Sequence, residues 1–266
     1  MASISEKAVK HRVNSLAKAL RILDCFSTER PELNLTELSQ KLKIPMSTLL
    51  NLIRTLKDSG YVIKIKNSQN YRLGFKLMEL SYNLRASLPI IQLALPHMEE
   101  LQSRTGEIIY LTTYINGRVL YLECLYPSKR SVSYSVYGKT HPMHSTGCGK
   151  IMLAYMPEKT VDAIIAQWGL AQITPNTITN KVKLKKALAE YRELGYAIDN
   201  EEGSHNVRCI AMPIVDPNGF VAGALSISGP TVTMTDDKFS EYSKLMAGAC
   251  NFLSQYAQLF PAYQVP

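Results

Sequence analysis

Ile44 and Pro45 separate two short segments of helical periodicity, and a tight turn at this point leaves few folds open to the start of the chain. Pro45 suits the first turn of a helix that runs to about Ser59, where Gly60 supplies a C-terminal stop. Thr36 is the predicted N-cap of the helix before it. The apolar residues that repeat at helical spacing in the three predicted helices are Leu16, Ala19, Leu20, Leu23 and Phe26, then Leu38 and Leu42, then Leu49, Leu52, Ile53 and Leu56. A short helix, a tight turn and a helix that starts with polar residues form the helix-turn-helix layout.

Two predicted strands follow this layout directly. They span Tyr61–Lys66 and Tyr71–Leu73, and the polar loop Asn67–Asn70 joins them as a hairpin. Lys64, Lys66 and Arg72 make the hairpin basic. A basic hairpin after a helix-turn-helix is typical of a wing that lies along a phosphate backbone.

Charge is distributed unevenly along the chain. Residues 1–75 hold thirteen of the 30 Lys and Arg residues but six of the 22 Asp and Glu residues, which gives this segment a formal charge of +7 and the remainder +1. The imbalance indicates a polyanionic partner without separating nucleic acid from an anionic membrane, and lysines that merely solvate a helical face are the plainer alternative. The order of the motifs favours double-stranded DNA. The predicted DNA contacts are Lys43, Met46, Ser47, Thr48, Asn51, Arg54, Lys64, Lys66 and Arg72.

The rest of the chain predicts an α+β domain with a mostly antiparallel sheet. Leucines 77, 80, 84 and 88 form a helical stripe that Pro89 ends, and the next helix, Ile90–Arg104, is expected to kink or restart at Pro96. The predicted strands are Ile108–Tyr114, Val119–Leu125, Val132–Tyr137, Val207–Val215 and Phe220–Ser228. The predicted helices are Gly149–Met156, Glu158–Trp168, Lys181–Leu194 and Asp236–Leu259. We therefore divide the chain into a winged helix-turn-helix domain (1–74), a linker helix (75–89) and a second domain (90–266).

Several classes of protein are disfavoured. The five cysteines are scattered and odd in number, the N-terminus is polar, and no apolar run is long enough to span a membrane, so we expect a cytoplasmic protein without disulfides or membrane contact. His141, His144, Cys148 and Cys209 invite a metal site or a Cys-His nucleophile, but their spacing is not a zinc spacing and no acid–base set accompanies them. We predict no catalytic residue, no metal and no cofactor.

Short motifs in both halves resemble the IclR family of bacterial transcriptional regulators. In the first half they are Leu35–Leu38, Pro45–Thr48 and Tyr71–Gly74, and in the second His141–Lys150, Gly195–Asp199, Val207–Ala211 and Ser226–Pro230. The resemblance extends from about residue 13 to residue 255. One position departs from it, because the family often has an arginine where this chain has Asn51. An asparagine amide pairs with adenine, whereas arginine favours guanine or phosphate, so the DNA sequence that is bound is expected to differ.

The resemblance implies a GAF-like second domain that binds a small-molecule effector and forms oligomers. It assigns effector contacts to Gly147, Cys148, Asp199, Cys209, Ser226 and Ser228, with Met143 and His144 as pocket walls. Gly147 and Cys148 fall at a predicted helix start, where free N–H groups favour a carboxylate. The two serines lie two residues apart on a strand, so their hydroxyls share a face. The expected effector is a small hydroxy, sugar or aromatic acid.

Two functions from different classes follow. The first is a DNA-binding transcriptional regulator, a repressor rather than an activator, that binds a two-fold pseudo-palindromic operator as a homodimer or a dimer of dimers. The second is a metabolic enzyme or small-molecule carrier whose basic N-terminal module is incidental. Affinity for a specific duplex that falls steeply with rising salt separates the first from the second.

Overall fold

The computed structural model describes residues 13–127 and 136–261. The chain divides between Ser87 and Leu88 into two compact units. Within the described ranges, no helix is both long and apolar enough to cross a membrane.

The first unit is a winged helix-turn-helix domain, as the sequence predicts. Its elements are α1 (Asn14–Leu23), β1 (Leu33–Asn34), α2 (Leu35–Leu42), α3 (Met46–Asp58), β2 (Val62–Lys64), β3 (Asn70–Leu73) and α4 (Lys76–Ala86). The three strands form an antiparallel sheet in the order β1-β3-β2. Leu38, Leu49, Ile53 and Val62 are almost fully buried where the helices meet this sheet. The turn before α3 and the hairpin after it are therefore held on one apolar core.

Two predictions for the first unit are wrong. Asn34, and not Thr36, caps α2: the Asn34 side chain accepts a hydrogen bond from the Glu37 N–H, and the Glu37 carboxylate accepts one from the Asn34 N–H. This reciprocal capping box begins the helix one residue before the exposed Thr36. Along α1 the predicted apolar stripe is buried only in part: Ala19, Leu23 and Phe26 pack on the core, whereas Leu16 and Leu20 are 57% and 53% exposed.

The second unit is an α+β domain, again as predicted. Its elements are α5 (Pro89–Thr105), β4 (Ile108–Ile115), β5 (Arg118–Leu125), β6 (Thr140–Pro142), α6 (Gly147–Tyr155), α7 (Glu158–Trp168), α8 (Lys181–Leu194), β7 (Ala197–Asn200), β8 (Val207–Val215), β9 (Val221–Pro230) and α9 (Asp236–Ser254), followed by a 3₁₀ turn (Ala257–Leu259). The strands form one antiparallel sheet in the order β6-β5-β4-β9-β8-β7.

Three details of this unit differ from the sequence prediction or lie outside it. Helix α5 runs without interruption through Pro96. Strands β6 and β7 were not predicted, and they are only three and four residues long. The predicted strand Val132–Tyr137 falls mostly on residues 132–135, which lie outside the described residues, and Val136 and Tyr137 are not in a strand.

Apolar layers cover the two faces of the sheet. On one face, Ile109, Leu111 and Ile227 pack against α5 and α9. On the other, Ile151 and Leu153 of α6 pack with side chains of α7 and α8. The second layer includes side chains of α6 from Cys148 onward, so the start of this helix lies directly on the sheet.

Candidate nucleic-acid interface and ligand cavity

Helix α3 presents a polar face to solvent. Leu49, Ile53 and Leu56 are buried against the first core, and this fixes the rotation of the helix. The opposite face carries the predicted contacts: Met46, Ser47, Asn51 and Arg54 are exposed and Thr48 is half-buried. Short polar side chains at the start of an exposed helix can approach base edges in a major groove.

Four exposed cations outside α3 add positive charge to the first unit. Lys43 ends α2 in the left-handed region at φ 55° and is exposed, as are Lys64, Lys66 and Arg72 of the hairpin. In the part of the chain that the structure describes, no carboxylate forms an ion pair with any of these four side chains or with Arg54. Their charges are free to neutralise phosphates.

The second unit contains a cavity of about 580 Å³ on one face of its sheet. All six strands contribute side chains to it: His141, Tyr121, Ile108, Tyr110, Ser226, Ser228, Cys209, Val207 and Asp199. Strand pairing explains this convergence, since Tyr110 is opposite Ser226, Ser228 is opposite Cys209, and Cys209 is opposite Asp199. Directly opposed residues of antiparallel strands share a face of the sheet.

The N-terminus of α6 closes one end of the cavity. Thr146 caps the helix by accepting a hydrogen bond from the Gly149 N–H at 3.1 Å, and Gly147 and Cys148 line the cavity. A Cβ on Gly147 would lie 3.3 Å from the Cys209 sulfur, so glycine allows helix and strand to approach closely. Ser226 is fully buried beside this end, and no nitrogen or oxygen atom among the described residues forms a hydrogen bond with its hydroxyl.

Asp199 lies at the β7 edge of the cavity with its carboxylate largely buried. Its Oδ1 accepts hydrogen bonds from the N–H groups of Glu202, at 2.7 Å, and Gly203, at 3.3 Å. Burial raises the pKa of Asp199 to about 6, while the nearby Lys150 ammonium opposes the rise. At neutral pH the carboxylate is mostly ionised, and near pH 6 it can also donate a hydrogen bond.

The cysteine and histidine side chains of the cavity are neutral groups at physiological pH. Burial raises the pKa of both Cys148 and Cys209, which keeps them as thiols and not as nucleophilic thiolates. Burial lowers the pKa of His141 to about 4, and the positive charges of Lys139 and Arg118 add to the effect. Within the ranges 13–127 and 136–261, no group of three or more His, Cys, Asp or Glu side chains is arranged to hold a metal ion.

The structure brings six of the eight predicted effector residues together and separates the other two. Gly147, Cys148, Asp199, Cys209, Ser226 and Ser228 all line the cavity. Met143 and His144 line a different, smaller cavity beneath α6 and α7, of about 110 Å³, where His144 Nε2 lies 2.9 Å from the Ala171 carbonyl oxygen. Both side chains are buried, and Met143 packs in the apolar layer formed with α6, α7 and α8, so neither lines the larger cavity.

Sequence reasoning missed the opposite half of the cavity. Its lining includes Ile108, Tyr110, Tyr121, Tyr126, Lys139 and His141, with Thr146, Gly203, Ser204 and Val207 nearer the other end. Tyr110 and Tyr121 meet edge to face with ring centroids 5.0 Å apart, and Tyr121 meets His141 in the same way at 5.5 Å. The alternation of β4 places Ile108 and Tyr110 on one face of the strand, but the sequence does not show which face of the sheet bears the cavity.

Both units match known families. Residues 15–64 match the family described as "IclR helix-turn-helix domain", and residues 83–255 match "Bacterial transcriptional regulator IclR C-terminal". The HTH-type transcriptional regulator XynR of Escherichia coli K12 is 32% identical over 243 residues, which span 91% of this chain and 96% of XynR. The transcriptional repressor IclR of the same strain is 28% identical over 90% of this chain and 88% of its own length. The crystal structure of an IclR homologue from Microbacterium hydrocarbonoxydans, complexed with 4-hydroxybenzoate, has a TM-score of 0.73 and 25% identity, and the match covers 90% of this chain and 99% of that one.

Proposed function

Because the chain belongs to the IclR family of DNA-binding bacterial transcriptional regulators, we propose that a small carboxylic acid in the cavity of its second unit controls its binding to an operator. The matched relatives are regulators and not enzymes, so the enzyme or carrier alternative is set aside. One observation carries the ligand proposal: the fully buried Ser226 hydroxyl lines the cavity, and no nitrogen or oxygen atom among the described residues forms a hydrogen bond with it.

The end of the cavity at α6 suits a carboxylate. Free N–H groups in the first turn of a helix, together with the helix dipole, favour an anion there. Ser226 and Ser228 can each donate a hydroxyl hydrogen bond to the same group, and a buried hydroxyl gains most from a partner it otherwise lacks. A carboxylate oxygen placed here would accept from helix and strand together.

The remainder of the ligand faces groups that recognise hydroxyls and rings. Asp199 can accept a hydrogen bond from a ligand hydroxyl, while Tyr110 and Tyr121 offer aromatic faces and phenol groups. These groups support a hydroxy, sugar or aromatic acid as the effector class. The relative that was crystallised with 4-hydroxybenzoate supports an aromatic acid as one member of that class.

We propose that α3 reads bases and that the flanking cations hold the DNA backbone. The base-reading residues are Met46, Ser47, Thr48 and Asn51, and the phosphate contacts are Lys43, Arg54, Lys64, Lys66 and Arg72. Asn51 is exposed on α3, where its amide can pair with an adenine edge. The lack of acid partners for these cations in the described parts of the chain supports the assignment.

The exposed apolar side chains of the first unit support a homodimer. Helix α4 buries none of its side chains, and Phe75, Met78, Tyr82 and Leu84 are each more than half exposed. A second copy of the chain would cover this surface and place two α3 helices on a two-fold operator. The related transcriptional repressor IclR supports repression as the mode of regulation. In this proposal the ligand acts because it binds more tightly to one arrangement of the two α3 helices than to the other.

A thermal-shift screen of the full-length protein with hydroxy, sugar and aromatic acids tests the ligand proposal. A ligand at a hundred times its Kd adds about 2.7 kcal/mol to the free energy of unfolding, which raises Tm measurably. The variant S226A/S228A should lose this rise and keep its DNA affinity, whereas Ser240→Ala on the exposed face of α9 should change neither. A double variant that still responds to the same acids would contradict the assignment.

A further inference from the structure

The ligand cavity has two chemically different ends. The end formed by α6, β8 and β9 is lined by Gly147, Cys148, Cys209 and two serines, all small or hydroxylic. The end formed by β4, β5 and β6 is lined by tyrosines and His141. In the sheet order β6-β5-β4-β9, three strand spacings separate His141 from Ser226, about 14 Å across the strands, and the register adds an offset of four residues along them. A ligand that touches both ends is therefore larger than a two- or three-carbon acid.

Lys139 brings a positive charge to the second end. Its backbone is fixed, because its carbonyl accepts from the Tyr121 N–H at 3.1 Å and its own N–H donates to the Val136 carbonyl at 2.9 Å. Its side chain lines the cavity. Across residues 13–127 and 136–261, no carboxylate pairs with it. The one carboxylate that lines the described cavity, Asp199, lies across the sheet on β7.

The charge of Lys139 lies close to His141 at this end of the cavity. Burial holds the pKa of His141 low and the Lys139 and Arg118 cations add to the effect, so the imidazole is neutral. Arg118 is itself engaged with Thr140 and with the Trp168 ring, whose centroid lies 5.0 Å from its guanidinium carbon. A neutral imidazole can donate one hydrogen bond, and the adjacent ammonium supplies the charge. Together the two groups can bind an anionic group.

We propose that the cavity selects dianionic acids: one carboxylate binds at the start of α6, and a second anionic group, a carboxylate or a phosphate, binds Lys139 beside His141. This inference rests on the proposed function, since it takes the α6 end as the first anion site. Lys139 is then the residue that determines specificity, because it distinguishes a dianion from a monoanion of the same length.

Matched ligands test this inference. We expect isothermal titration of the full-length protein to show that glucarate, or 6-phosphogluconate, binds at least about tenfold more tightly than gluconate, and terephthalate more tightly than 4-hydroxybenzoate. Whether the carboxylate or the phosphate binds better identifies the second group. In Lys139→Met the tenfold preference should disappear while monoanion affinity stays within about twofold. Lys139→Arg should retain the preference, and Lys186→Met, on the exposed face of α8, should change nothing.

The two proposals fail in different ways. Dianions that bind wild-type protein no more tightly than the matched monoanions overturn the inference about Lys139. So does a Lys139→Met variant that loses monoanion and dianion affinity equally. The proposed function fails instead if S226A/S228A binds both ligand classes as wild type does, since that variant removes groups at the common carboxylate end.

Discussion

The Lys150 ammonium donates a hydrogen bond to the Glu202 carboxylate in an ion pair that is almost fully buried. Lys150 belongs to α6, and its Nζ also lies 5.2 Å from the centroid of the Tyr191 ring. Glu202 follows β7, where its N–H donates to Asp199 and its carbonyl accepts from the Thr177 hydroxyl at 2.7 Å. The pair thus ties the helix at the anion end to the loop that holds Asp199.

Removing one partner of this pair should destabilise the second unit strongly. In Lys150→Met the Glu202 carboxylate stays buried without its cation, so we expect the free energy of unfolding to fall by about 3–5 kcal/mol. Urea denaturation of the two proteins measures the change. The double variant K150M/E202Q should recover part of the loss, and Lys186→Met, an exposed cation 4.0 Å from Glu190, should change stability by less than about 1 kcal/mol. A loss in Lys150→Met as small as in this control would contradict the role of the pair.

Stability should depend on pH through Asp199. Its pKa is raised from 3.8 to about 6 in the folded protein, so between these values the folded state holds a proton that the unfolded chain has released. The contribution to the free energy of unfolding is therefore complete below about pH 4 and is lost as the pH rises through 6, a change of about 3 kcal/mol. Asp199→Asn lacks this titration and keeps an oxygen for the two N–H donors. The free energy of unfolding of Asp199→Asn relative to wild type, measured by urea denaturation, should rise from pH 4 to pH 7. A difference between the two proteins that stays constant over this range would contradict the prediction.

The sequence predicted long elements with clear ends and missed the short ones. The bounds of α7 and α8 were predicted residue for residue, because Pro157 and Asn180 precede them and Gly169 and Gly195 follow them. The two short strands β6 and β7 have too few residues to show an alternating pattern, and their place at the edges of the sheet depends on pairing with distant segments. Periodicity predicts an apolar face for α1, but it does not show which side chains of that face are buried against the core.

Only part of the cavity lining could be predicted from the sequence, because the rest depends on strand pairing. Family motifs marked Asp199 and Ser226, but Tyr110 and Tyr121 belong to strands whose register includes a bulge between Leu111 and Thr112. Because of this shift Tyr121 is opposite Thr112 while Cys124 is opposite Tyr110. A regular register would not place Tyr121 and Cys124 on the same face. No local pattern in the sequence reveals this.

The capping box at α2 predicts a contrast between two neighbouring substitutions. Asn34→Ala removes the acceptor for the Glu37 N–H, at 3.0 Å, and should destabilise the first unit by about 1 kcal/mol. Thr36→Ala changes an exposed side chain inside the helix and should alter stability by less than about 0.5 kcal/mol. Amide hydrogen exchange in α2 measures both effects. Tryptophan fluorescence is unsuitable, because the single tryptophan, Trp168, lies in the second unit. Equal effects of the two variants would show that Asn34 is not the cap.

Two glycines inside helices should respond oppositely to alanine. A Cβ on Gly149 would overlap the backbone of Met143, so Gly149→Ala in α6 should lower the free energy of unfolding by about 3 kcal/mol and distort the anion end of the cavity. Gly248 in α9 has open space at the Cβ position, and Gly248→Ala should raise stability by about 0.5–1 kcal/mol through helix propensity. Urea denaturation checks both signs. A Gly149→Ala protein as stable as Gly248→Ala would show that α6 can move away from Met143.

Substitution of the hairpin cations should weaken DNA binding without altering its sequence preference. Lys64 and Arg72 lie on adjacent strands of the hairpin and are exposed, so each can neutralise one phosphate. Each phosphate contact contributes about 0.9 to the slope of log K against log salt concentration, and K64A/R72A should therefore reduce that slope by about 1.8. Fluorescence anisotropy over a range of salt concentrations, with operator and random duplexes, measures slope and preference together. Lys186→Ala in the second unit is the matched control, and an unchanged slope in the double variant would exclude the hairpin from the DNA interface.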